Sequence, residues 1–229
     1  MWLHRLRPRS YGTFIRQVQR LAAIALVTLC CGPALAADRP VKIVVLGDSL
    51  SAGLGLPAEA AFPARLAIAL NAKGSSVEIA NAGVSGDTAS GGLGRLDWSV
   101  PDGTEAVILE LGANDALRGL DPKLTKAALD TILNKLKQRH IEVLLAGLRA
   151  PRNMGANYAR EFDGIFPALA STHGSVFYPF FLEGVAGDAK LNQPDGMHPT
   201  AAGVDVIVAH ILPKVEELIA QIRAARTTK

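Results

Sequence analysis

Four short stretches of this sequence carry side chains that can act on a bond rather than fill a core. Gly47-Asp48-Ser49-Leu50-Ser51 sets a hydroxyl just past a glycine that permits a tight turn. A serine at the start of a helix has its hydroxyl near free backbone N–H groups and the positive helix end, where a developing anion is stabilised. The same residue can also do no more than cap the helix. A phosphate-binding loop is a third reading. It is set aside because the lysine and the G-x-x-x-x-G-K-[ST] spacing are both missing.

Asp195-Gly196-Met197-His198-Pro199 places an acid three residues before a histidine, in a loop bounded by glycine and proline. Such an acid can fix the imidazole tautomer and stabilise the imidazolium, which leaves the other ring nitrogen free to take a proton from serine. A lone Asp-x-x-His also arises from ordinary capping and loop hydrogen bonds. His140, His173 and His210 lie at, near or within helical patterns and are read as structural.

Two further stretches supply donors. In Asn81-Ala82-Gly83-Val84-Ser85-Gly86-Asp87-Thr88, Gly83 can present a bare N–H to a ligand. Ser85 is a rival nucleophile, read here as a turn serine ahead of a helix capped by Asp87. In Leu111-Gly112-Ala113-Asn114-Asp115, the Asn114 amide can donate to an oxyanion or merely close an Asx-turn. Each stretch alone is ambiguous. Together they hold a nucleophile, a base, an orienting acid and oxyanion donors, the full set for acyl transfer. The chain order is Ser, Asp, His, without a G-x-S-x-G elbow.

The elements that must position these residues are legible from periodicity. Runs rich in apolar and β-branched residues at 41–46, 77–80, 106–111, 143–148 and 176–180 predict buried strands. Helical patterns lie between them at 62–72, 88–98 (interrupted by glycines), 122–140, 157–172 and 200–225. Asp121 and Pro122 suit the start of the third, and Pro213 is expected to bend or divide the last. Alternation of this kind predicts a single three-layer α/β/α domain with a five-stranded, parallel, doubly wound, flavodoxin-like sheet. Ligands bind such sheets at the carboxyl ends of the strands, where all four stretches fall.

Residues 1–36 read as an export leader rather than as fold. Five arginines and no acid precede the apolar run Leu21–Cys31, and Ala34-Leu35-Ala36 is a small-x-small cleavage signal. The run is short for a membrane span, so none is expected after cleavage. The protein is expected in the periplasm or outside the cell, with residues 37–229 as the catalytic domain. Lipidation at Cys30 is the alternative, disfavoured by the bulky Leu29. Both cysteines, Cys30 and Cys31, lie in the leader, so the remainder has no thiol nucleophile, disulfide or Cys-based zinc site. The whole chain has 24 basic and 21 acidic residues. Without the leader's five arginines the balance is 19 to 21, a formal charge of −2, which gives no reason to expect a nucleic-acid partner.

The four stretches resemble the blocks of the SGNH (GDSL) hydrolase family. Gly47-Asp48-Ser49-Leu50 matches the first block, Gly83 the second, Gly112-Ala113-Asn114-Asp115 the third and Asp195-Gly196-Met197-His198 the fifth. Ala150-Pro151-Arg152-Asn153-Met154-Gly155, followed by Tyr158 and Phe162, is similar to the substrate-side loop of the bacterial periplasmic acyl-CoA thioesterase I/arylesterase/lysophospholipase group. The resemblance implies Ser49 as nucleophile, His198 as base and Asp195 as its orienting acid. The N–H groups of Ser49 and Gly83 and the Asn114 side chain would form the oxyanion hole. It implies a small acyl ester or thioester as substrate, with no metal and no organic cofactor. Leu54, Leu56, Met154 and Phe181 are candidates for an apolar leaving-group site or for core. Two other readings compete: a carbohydrate deacetylase of the same family, and a flavodoxin-like binding module without turnover. Aromatic residues are only 5% of the chain and none cluster near the motif loops, which weakens the sugar reading.

Overall fold

The computed structural model describes residues 39–228, so the leader expected over residues 1–36 lies outside the described residues. Five parallel strands are ordered β2-β1-β3-β4-β5: β1 Val41–Gly47, β2 Val77–Gly83, β3 Ala106–Glu110, β4 Glu142–Ala146 and β5 Val176–Tyr178. The central strands β1 and β3 are buried almost throughout, as their mainly apolar sequences require; Lys42 is exposed and Glu110 is a buried acid. β2 and β5 are the edges. β2 alternates at its start, with Glu78 exposed, and β5 stops short of the expected Phe180 because Pro179 has no N–H to continue the ladder. Gly47 pairs with Gly83 on one side and with Glu110 on the other. Those three residues mark one level, and the loops beyond it carry the candidate residues.

The helices are α1 Ser49–Ala52, α2 Phe62–Ala72, α3 Ala89–Gly94, α4 Leu96–Ser99, α5 Ala113–Leu117, α6 Pro122–Gln138, α7 Ala156–Asp163, α8 Ile165–His173 and α9 Ala201–Thr227. They cover both faces of the sheet. Arg65–Asp205 and Lys73–Glu216 join α2 to α9 on one face. Lys135–Asp97 and His173–Asp130 join α6 to α4 and α8 on the other. α6 shows the logic of the core. Thr125, Ala128, Leu129, Ile132, Leu133 and Leu136 recur at helical spacing and are all buried. Full burial of each Leu or Ile contributes about 1.5–3 kcal/mol.

Several boundaries differ from the sequence expectation. α6 ends at Gln138, and His140 beyond it takes the left-handed conformation at φ 56°. The single pattern over 157–172 is two helices, divided at Gly164. α9 is not divided by Pro213: Ile207, Ile211, Val215, Leu218 and Ile222 form one buried stripe that holds both sides of the proline on the sheet. Thr88, not Asp87, caps α3 by accepting from the Gly91 N–H.

Gly83 shows how closely α1 is seated. A Cβ there would stand 2.4 Å from Ala52 N, 2.7 Å from Ala52 Cα and 2.9 Å from the Asp48 carbonyl oxygen, all of them backbone atoms. Gly83→Ala is therefore expected to lower stability by about 1–3 kcal/mol through overpacking. Urea unfolding measures it. An unchanged midpoint would mean that α1 does not rest on β2.

Candidate active site

β1 delivers its chain into a turn at Asp48 and then directly into α1. The Asp48 side chain caps that helix by accepting from the Leu50 N–H at 3.0 Å. Ser49 is thus the first helical residue. Neither its N–H nor that of Gly86 makes a hydrogen bond among the described residues. α1 is short, and Gly53 closes it in the left-handed conformation at φ 82°.

The histidine loop is built locally. Asp195 Oδ1 accepts the N–H groups of Met197 at 2.9 Å and His198 at 3.0 Å, and its Oδ2 meets His198 Nδ1 at 2.6 Å. Gly196 supplies the positive φ of 71° that this turn needs. The backbone donors of His198 and Met197, with the imidazole, hold the Asp195 carboxyl down at about 2. It therefore remains a carboxylate throughout the pH range of ordinary enzymes. On its far side, His198 Nε2 lies 2.9 Å from Ser49 Oγ. Gln193 ties the two loops together: its Nε2 donates to the Leu54 carbonyl at 2.7 Å and to the Pro199 carbonyl at 2.9 Å.

Asn114 comes from the start of α5. Its Nδ2 donates to Asp48 Oδ2 at 3.1 Å and to the Asp87 carbonyl at 2.9 Å. The amide is held beside Ser49, and an oxyanion there would share one of those protons. Asp87 is held in turn by buried Arg95 at 2.5 Å, and Arg95 also donates to the carbonyls of Ala82 and Gly47. Asp48 is fully buried, and desolvation pushes its carboxyl up to about 6 against the pull of Leu50 and Asn114.

Of the residues singled out in the sequence, Ser49, His198, Asp195 and Asn114 are brought together. Gly83 is not among them. Its N–H donates to Asn81 Oδ1 at 2.9 Å, and its α-carbon packs on the backbone of α1. Gly86 lies instead on the wall of the cavity that holds Ser49. Sequence reasoning passes over Gly86 because it sits between two residues with stronger apparent roles, Ser85 and Asp87. The turn-forming Ser-Gly-Asp run was the available signal. Ser85 lines the same cavity but meets no histidine among the described residues.

That cavity has a volume of about 920 Å³. Leu54, Leu117, Leu182 and Met197 give it apolar walls, and Arg149 and Arg152 give it cations. Phe180, with the Arg149 guanidinium 4.4 Å above its ring, contributes where Phe181 was expected. Phe181 and Leu56 belong to the core or pack against it, Phe181 meeting Phe62 edge-on at 5.0 Å. Met154 approaches Gly119. Among the described residues, no group of three or more His, Cys, Asp or Glu is placed to hold a metal ion. No helix among them is long and apolar enough to cross a membrane.

A carboxylate, an imidazole and a hydroxyl in one hydrogen-bonded line, beside free N–H groups, can transfer an acyl group. Known proteins agree. Residues 45–206 match the GDSL-like lipase/acylhydrolase family. The chain is 39% identical to an arylesterase of Vibrio mimicus over 180 residues, 77% of this chain and 88% of that one. It is 38% identical to thioesterase 1/protease 1/lysophospholipase L1 of Escherichia coli over 187 residues, 81% of this chain and 87% of that one. The crystal structure of AlinE4, an SGNH-hydrolase family esterase, superposes with a TM-score of 0.67 at 46% identity, covering 78% of this chain and 96% of that one. This chain belongs to the GDSL-like lipase/acylhydrolase family and is an ester-hydrolysing enzyme of the SGNH fold.

Proposed function

We propose that the enzyme hydrolyses acyl esters and thioesters of small alcohols, phenols, thiols or lysolipids through a Ser49 acyl-enzyme. The observation that carries the reading is the unbroken line from Asp195 Oδ2 through both His198 nitrogens to Ser49 Oγ. Ser49 Oγ attacks the acyl carbonyl while its proton passes to His198 Nε2. The carbonyl oxygen gathers charge against the N–H groups of Ser49 and Gly86 and the Asn114 amide. The tetrahedral intermediate collapses, and His198 returns the proton to the departing oxygen or sulfur. Water then attacks the acyl-enzyme by the same route and frees the acid. Asp195, ionised throughout, holds the imidazole and offsets its positive charge.

The apolar walls around Ser49 favour an acyl chain over a sugar ring, which is why the ester and thioester reading ranks above a carbohydrate deacetylase. The 36-residue leader supports action outside the cytoplasm, and that part of the proposal rests on the sequence alone.

Ser49→Ala is expected to abolish hydrolysis of p-nitrophenyl esters at every acyl length. Residual turnover equal to wild type would sink the assignment and turn attention to Ser85. Asn114→Ala should lower kcat by about 10²–10³-fold, the usual loss for one oxyanion donor, with KM little changed. A loss confined to KM would show that Asn114 binds ground-state substrate only.

On the acid side kcat/KM is expected to fall as pH drops through about 6, because Asp48 gains a proton there and weakens as the acceptor that holds Asn114. In Asn114→Ala that contribution should vanish, and an acid limb of unchanged shape in the variant would remove Asp48 from the account.

A further inference from the structure

Glu110 ends β3 directly beneath the Asp48 turn, and no step above uses it. It is completely buried, and so is Asp48. Glu110 Oε2 accepts the Ser51 hydroxyl at 2.7 Å and, at the long distance of 3.5 Å, the Asp48 N–H. Among the described residues its Oε1 has no hydrogen-bond partner. Asp48 is better served, with the Leu50 N–H on one oxygen and the Asn114 amide on the other. Among the described residues no Lys or Arg forms an ion pair with either carboxyl. Arg95, the buried guanidinium on this side, is committed to the Gly47 and Ala82 carbonyls, Asp87 and Ser99. The other ionisable groups that face Asp48 are Asp115 from α5, a like charge, and His198 from the loop before α9.

Two adjacent buried carboxylates without a counter-ion cost far more than retaining one proton between them. The hydrogen bonds decide where that proton sits. An oxygen without a donor is tolerated on a neutral acid much better than on an anion, and that oxygen belongs to Glu110. We propose that Glu110 and Asp48 share a single negative charge at the pH of catalysis, with Glu110 the un-ionised acid and Asp48 the carboxylate. Glu110 is a positioning residue in this arrangement. By staying neutral it lets Asp48 keep its charge, and the charged Asp48 fixes the Asn114 amide at the oxyanion site. The inference rests on the reading of Asn114 as an oxyanion donor. Burial acts in the same direction, raising the Glu110 carboxyl well above its ordinary range. Gly47 belongs to the device as well. A Cβ at Gly47 would come within 2.3 Å of Ser51 Oγ, so glycine leaves room for the hydroxyl that reaches Glu110.

Infrared titration of the wild-type enzyme tests the protonation directly. The expected result is one un-ionised carboxyl carbonyl band that persists at neutral pH, far above the ordinary carboxyl range of about 4. Labelling glutamate with ¹³C should shift that band, and Glu110→Gln should remove it. No such band, or a band indifferent to the glutamate label, overturns the proposal. The labelled wild-type protein decides the matter even if the variant does not fold.

Stability supplies a second reading. The folded state keeps a proton that the unfolded chain releases once pH exceeds the ordinary glutamate value, so wild-type stability falls as pH rises from there toward the raised value. Gln has no proton to hold. The stability of Glu110→Gln relative to wild type should therefore increase with pH across that window, and a difference independent of pH counts against the proposal. The positioning role is read in kinetics. Glu110→Ala should lose at least tenfold in kcat with KM little changed, and Glu110→Gln should recover most of that loss. Equal losses in both variants would overturn the positioning role. If instead Asn114→Ala left kcat intact while the glutamate band remained, the oxyanion reading would fail and the shared proton would stand.

Discussion

Asp48 holds two structures at once. One carboxylate oxygen caps α1 through Leu50, and the other fixes the Asn114 amide on α5. The residue is fully buried, so neither bond competes with water. Around it the backbone is packed to contact. Gly83 admits α1 on one side, and Gly47 admits the Ser51 hydroxyl on the other. The nucleophile loop therefore has little freedom to shift. That rigidity is what an oxyanion site requires, because donors help only when they already point at the place where charge will form.

The histidine side is built on a different plan. Asp195 is exposed and its turn is almost self-contained, with three bonds inside four residues. What joins this turn to the rest is the bridge from Asn192 to Pro199 and the forked donation of Gln193 to Leu54 and Pro199. Behind it, Gly203 at the start of α9 lets the helix approach the Leu191 carbonyl, where a Cβ would stand at 2.2 Å. The serine is set by the sheet and the histidine by a loop clamped between a helix end and the α1 exit. A shift of the whole histidine loop away from the α1 exit would have to break the Gln193 fork.

Much of this was legible in the sequence, and the exceptions have physical causes. The runs 41–46 and 106–111 announce central strands because burial on both faces leaves few polar positions, Lys42 in the first and Glu110 in the second. Ser49, Asn114, Asp195 and His198 stand out because their residue types and their places after strands agree with one another. Gly83 was misleading. A glycine at a strand end has two uses, presenting an N–H or admitting a neighbouring backbone, and only the position of α1 separates them. Gly86, Gln193 and Glu110 depend on contacts across 139 residues for Gln193 with Leu54 and 59 for Glu110 with Ser51, which no local spacing encodes. Pro213 failed as a breaker for the same reason, since tertiary burial on both sides of it outweighs one missing helical hydrogen bond. Phe180 and Phe181 are adjacent and chemically alike, and only the turn after Pro179 decides which faces the cavity.

The two aspartates nearest the reacting atoms explain why only one of them can serve the imidazole. Asp195 is open to solvent and collects backbone donors that hold it at about 2, so it is charged whether or not His198 is protonated. Its partner nitrogen can then swing between neutral and cationic without losing the hydrogen bond. Asp48 is pushed to about 6 by burial and is occupied by Leu50 and Asn114. A carboxyl so placed would compete with imidazole for the proton instead of supporting it. Opposed environments thus sort two chemically identical side chains into different tasks, one to orient the base and one to frame the oxyanion site. The sorting depends on burial more than on distance. Moving water to Asp48, or removing it from Asp195, would undo the division even with every side chain in place.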